Sequence, residues 1–109
     1  MTLPERKEWS QFLSRCAEFL DYVVGDCQGL SPGLTFFEQS ASGLRYLASK
    51  IPEHTDSLAE AANIYDTLAR EAPKAMYPRG SQMFSDLNQV EKVGAALYEI
   101  SDQLAERRE

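Results

Sequence analysis

The chain has 109 residues, a mass of 12.3 kDa, a formal net charge of −6 and a pI near 4.8. That is the size of one domain, and its acidity argues against phosphate backbones and anionic lipid as general partners. A hydrophobic fraction of 43% with 26% charged residues is the composition of an ordinary globular domain and disfavours disorder.

By size scaling, folding hides about two thirds of the surface of the extended chain, enough for a real core. The opening MTLPERKEWSQF has no apolar signal-peptide core, and no run approaches transmembrane length. Cys16 and Cys27 lack CxxC spacing and would lie roughly 16 Å apart along one continuous helix, beyond disulfide reach. Both are expected to be reduced thiols of a cytoplasmic protein.

Four segments carry helical periodicity, and none shows strand alternation. The first helix is expected over 3–24. Thr2-Leu3-Pro4-Glu5 fits a capping box with proline tolerated in the first turn. Trp9, Phe12, Leu13, Cys16, Phe19, Leu20, Val23 and Val24 then recur at three- and four-residue steps, a broad apolar face suited to a bundle interior. Gly25 is a natural terminator, and residues 25–33 read as a loop.

The second helix can start at Ser31-Pro32 or at Thr35; the second choice, a helix over 35–51, gives a capping box at Thr35-Phe36-Phe37-Glu38, and Pro52 is its stop. Its stripe is Phe37, Ala41, Leu44, Ala48 and Ile51, with Leu47 at one edge. The third, over 55–72, carries Leu58, Ala61, Ala62, Tyr65, Leu68, Ala69 and Ala72. Its Asp66 and Arg70 have the spacing of a surface ion pair. The fourth, over 82–106 with its start near Ser81 or Ser85, carries Met83, Leu87, Val90, Val93, Leu97, Ile100 and Leu104. Gly94 on that face costs about 1 kcal/mol in helix propensity against alanine, which suggests a close helix crossing. Short connections favour an all-α, single-domain four-helix bundle running up-down-up-down.

Catalytic chemistry finds no actors. The single histidine, His54, sits in a short connection beside Glu53 and is expected to be a solvent-exposed loop residue. No Cys-His pairing follows from the spacing. The bundle di-metal motif Glu-x-x-His, zinc spacings, a phosphate-binding glycine loop and an EF-hand loop are all absent. No cofactor, metal or catalytic residue is expected.

The informative residues are the large apolar ones off the stripes. With Phe37 at the stripe centre, Phe36 lies about 100° away and Tyr46 about 180° away. Phe36 heads a ridge through Ser40, Gly43 and Leu47. A knob beside small residues is a shape against which another helix docks. That helix can belong to this chain or to a partner. Met76, Tyr77 and Phe84, around a proline-bracketed loop, either plug the bundle end or touch a partner. Ile64, Tyr22 and Tyr98 are expected as isolated surface residues. The candidate partner-binding residues are therefore Phe36, Ser40, Gly43, Tyr46, Leu47, Met76, Tyr77 and Phe84.

The functional expectation is a non-catalytic, dimer-forming interaction module of the cytoplasm that binds and restrains a partner protein. A transcription regulator such as a quorum-sensing receptor is one partner class, by analogy with small helical antiactivators. The alternatives are an immunity protein or antitoxin neutralising a basic toxin, and a structural subunit of a larger assembly. A bundle with a concealed enzymatic or ligand site is the remaining class.

Overall fold

The structure is a computed structural model that describes residues 2–25, 34–71 and 83–105. Four α-helices, α1 (Leu3–Val24), α2 (Leu34–Lys50), α3 (Thr55–Glu71) and α4 (Leu87–Ala105), form an all-α four-helix bundle. A short 3-10 turn, Pro52–His54, joins α2 to α3.

Each helix begins and ends for a local reason. Thr2 caps α1: its hydroxyl accepts the Glu5 amide, and the Glu5 carboxylate accepts the Thr2 amide. These bonds to Thr2 hold the Glu5 carboxyl below its usual range. Helix α2 is described from Leu34, which puts Thr35 inside the helix and not at its cap; the other expected start, Ser31-Pro32, lies outside the described residues. Pro52 stops α2, and the Thr55 hydroxyl donates to the carbonyls of Ala48 and Ile51 at 2.8 and 3.4 Å. The residue expected to open α3 therefore also closes α2, whose last carbonyls lack helical partners. Helix α4 starts at Leu87, close to the later of the two expected starts, Ser81 and Ser85, and the Asp86 carboxylate caps it by accepting the Gln89 amide at 3.2 Å.

Cross-helix contacts fix the topology. Along α1 and α4, Arg6 meets Gln103 and Leu104, Ser10 meets Ser101, and Ala17 faces Gly94. Residue numbers rise on one helix as they fall on the other, so the pair is antiparallel. Arg45 of α2 reaches Asn63 and Asp66 of α3, while Ala48 meets Thr55, which makes that pair antiparallel too. Trp9–Tyr46, Phe12–Gly43 and Phe19–Phe36 give the same sense for α1 and α2. The order is up-down-up-down, with α1·α4 and α2·α3 as the most closely packed pairs.

One continuous core fills the interior, including Leu13, Leu20, Leu44, Leu58, Leu68 and Leu97. Leu47, expected at the edge of its stripe, is fully buried, and Ile64, expected on the surface, is 8% exposed. Both differences have one cause. A helix in a four-helix bundle faces two neighbours, so its covered arc is wider than a single stripe. The expected Asp66–Arg70 pair is not formed. Asp66 pairs with Arg45 across the α2–α3 seam, and Arg70 pairs with Glu71.

Candidate partner-binding surface

The ridge headed by Phe36 is covered largely by its own chain. Phe36 is half-buried, with its ring 5.6 Å from Phe19, 5.9 Å from Phe37 and 6.0 Å from Tyr65. Ser40 is 2% exposed, and Leu47 is fully buried. Gly43 lies under Phe12, where an added methyl would sit 2.6 Å from the ring tip. Helix α1 thus fills the shallow groove that Ser40 and Gly43 leave on α2. In this fold Ser40 and Leu47 present no surface to a partner, and Phe36 presents only one side. Ser40 and Leu47 are thus more buried than a ridge open to a partner requires, while Phe12 packs over Gly43 and Phe19 against Phe36.

Tyr46 is different. It is 43% exposed, on the side of α2 away from Phe37. Its ring stacks on half-buried Trp9 at 5.3 Å and 21°, and Trp9 in turn meets Phe12 edge-on at 5.2 Å. The Lys50 ammonium stands 5.5 Å from the Tyr46 ring centre, within cation–π range. Three aromatic rings and a cation therefore run from the core to solvent. Phe84 is half-buried against the core ahead of α4. Met76 and Tyr77 lie outside the described residues, as does Cys27.

Beneath Tyr46's helix, the central polar group is Tyr65. Its buried hydroxyl donates to the Cys16 carbonyl at 2.8 Å, tying α3 to α1 across the bundle. Burial pushes the Tyr65 phenol well above its ordinary range. Burial likewise pushes the Cys16 thiol up to about 11, against a smaller opposing pull from the Ser40 and Tyr65 hydroxyls. A thiol held this way stays protonated and is a poor nucleophile. Ser40, read in sequence as a groove-former, is one of the groups that solvates this thiol.

A serine cluster between α1 and α4 has no counterpart in the sequence reading. Ser10 donates to the Ser101 carbonyl at 2.8 Å, and Ser101 donates to the Ser10 carbonyl at 2.7 Å. The Ser14 and Ser101 hydroxyls are 2.8 Å apart. With the Ser101 proton already committed, Ser14 is the donor of that bond. Serines at three- and four-residue spacing read as a polar face, and only the facing helix turns them into a seam.

His54 sits in the 3-10 turn, half-buried, with Nε2 2.7 Å from the Gln103 side-chain oxygen. A cleft of about 250 Å³ beside it is lined by Arg6, Lys50, Glu53 and Gln103 over Ile51 and Ile100. Charges of both signs and a histidine engaged with an amide give no acid–base pair. Among the described residues no group of His, Cys, Asp and Glu is placed to hold a metal ion, and no buried side-chain polar atom lacks a hydrogen-bond partner. No helix among them is long and apolar enough to cross a membrane. A second opening, about 230 Å³, lies between α3 and α4 and is lined by Ile64, Phe84 and Val90 among polar residues.

No family model matches the chain, and no curated protein or solved structure is significantly similar to it.

Proposed function

We propose that this chain is a non-catalytic interaction module that binds and restrains a partner protein in the cytoplasm, in the manner of an inhibitor or antiactivator of a bacterial regulator. A quorum-sensing transcription factor is one such partner. The observation that carries the reading is the Tyr46 platform: an exposed tyrosine braced by Trp9 and capped by Lys50. Tyrosine and tryptophan supply large contact area at low entropic cost, and they dominate the energetics of many interfaces. Because Trp9 already holds the Tyr46 ring, little side-chain freedom remains to be lost on binding. Self-association belongs to the same reading, and sedimentation equilibrium measures it directly.

The test is capture from native lysate by the full chain and by a Tyr46→Asp variant. The wild type is expected to recover one dominant protein, whose assembly or activity falls when the chain is added back. Tyr46→Asp is expected to lose that partner while far-UV circular dichroism and a cooperative melt show the fold retained, with a melting temperature lowered by about 4–8 °C for the lost stack on Trp9. Recovery of nothing but the chain itself at several salt concentrations would defeat the reading.

The net charge of −6 supports a second reading, an immunity protein or antitoxin whose target is a basic toxin. An adjoining toxin gene, with loss of this chain lethal only when that toxin is present, separates the two.

A further inference from the structure

We propose that the groove between α3 and α4 is a docking site for a basic amphipathic helix of a partner protein. This rests on the reading of the chain as an interaction module and adds a second surface to it. Ile64 of α3 and Val90 of α4, 8% and 2% exposed, form the floor of the groove, and half-buried Phe84 beside them is its more accessible apolar side chain. Among the described residues of its lining, the charged side chains are the carboxylates Glu60 and Asp86. Both carboxylates are held in place through Gln89. Its side chain donates to Glu60 across the seam, and its backbone amide donates to Asp86. Fixed carboxylates beside an apolar pocket are the complement of an apolar stripe flanked by Lys or Arg. An amphipathic helix presents such a stripe at i, i+4 and i+7.

The form of the occupant follows from the form of the site. Two antiparallel helices with space between them offer a groove to the ridge of a third. A strand would need a sheet edge for its backbone, and the described residues contain no strand. The acidic lip repels phosphate backbones and anionic lipid surfaces, which leaves a basic protein segment. The apolar stripe would enter beside Phe84, and Asn63 and Thr67 would supply hydrogen bonds at the rim.

The experiment titrates the isotope-labelled full chain with two synthetic helices of identical leucine stripe, one flanked by lysines and the other by glutamates. The lysine peptide is expected to shift the backbone amide resonances of Ile64, Thr67, Phe84 and Val90. Reversing one lip charge with Glu60→Lys, at an exposed position, is expected to weaken that binding about tenfold with the remaining spectrum unchanged. Absence of binding, equal binding of both peptides, or shifts centred on Tyr46 would each overturn the proposal. So would groove resonances that move with the concentration of the chain alone, because the occupant would then be a second copy. A chain that captures its partner through Tyr46 yet ignores the lysine peptide sinks the groove and leaves the restraint reading standing. A chain that binds the lysine peptide in the groove but captures no partner does the reverse.

Discussion

Helix α1 packs against α4 on one side and α2 on the other, and meets them in opposite ways. Toward α4 it presents Ser10, Ser14 and Ala17, which meet Ser101 and Gly94 in a seam of small side chains and reciprocal hydrogen bonds. Toward α2 it presents Trp9, Phe12 and Phe19, whose rings meet Tyr46, Gly43, Phe36 and Phe37. The first seam is specified by hydrogen-bond geometry, since a buried hydroxyl without its partner costs about 1–3 kcal/mol. The second is specified by volume, since rings must interlock without voids. One helix with two incompatible faces can be inserted in one rotation only. Turning it would put serines against rings and rings against serines.

The largest break in this contrast is expected at the aromatic seam. Phe37→Ala, at 4% exposure, should lose about 3–5 kcal/mol in urea unfolding. Phe36→Ala, half-buried in the same ring cluster, should lose less than half of that. Equal losses would mean that the two phenylalanines share one role and that the distinction between them is wrong.

Alkaline titration probes the interior side of the same seam. The Cys16 thiol is raised from its ordinary 9.0 to about 11 by burial. The folded state therefore favours the neutral thiol. Its stabilising effect is complete below pH 9, where the unfolded thiol is also neutral, and is lost as pH rises from 9 to about 11. A two-unit shift corresponds to about 2–3 kcal/mol, and the raised Tyr65 phenol acts in the same direction. Cys16→Ala should therefore close part of its stability gap to the wild type over that window. A gap that stays constant from pH 7 to 11 would show that the thiol is not held neutral by the fold.

The smallest and sharpest comparison uses the two helical glycines. A methyl at Gly94 would meet Leu20 Cβ at 3.6 Å, an ordinary contact. Gly94→Ala should therefore stabilise by about 0.5–1 kcal/mol through helix propensity. The close crossing suggested by that glycine is real, but the glycine is not what permits it. At Gly43 the same methyl would stand 2.6 Å from the Phe12 ring, and Gly43→Ala should lose about 1 kcal/mol net. Equal gains at both sites would show that Phe12 swings aside freely and does not fix the α1–α2 seam.

These contrasts also mark what was legible in the residues alone. The Phe37-Ala41-Leu44 stripe, the Thr2 cap and the Pro52 stop follow from periodicity and local chemistry, and all are present in the fold. Leu47 and Ile64 are more buried than their stripes imply, because a stripe drawn for one neighbour omits the flank that faces the second. Asp66 chose Arg45 over Arg70 because a partner across the seam competes with one along the helix. The serine seam was invisible because a hydroxyl gives no sign of its partner until two helices meet. Within the candidate surface, the outward position of Tyr46 follows from its angle to Phe37. Its bracing by Trp9 does not, since that depends on the rotation of another helix.

The two tight pairs differ most in how much chain each must gather. The bond from Thr55 to Ala48 links residues 7 apart, whereas the bond from Ser10 to Ser101 links residues 91 apart. Ring-closure entropy grows as the logarithm of loop length, so the second closure costs about 2 kcal/mol more than the first. The serines thus act as a clasp between distant parts of the polypeptide. Much of what their hydrogen bonds contribute goes into holding that large loop shut, and the hairpin of α2 and α3 carries no comparable burden.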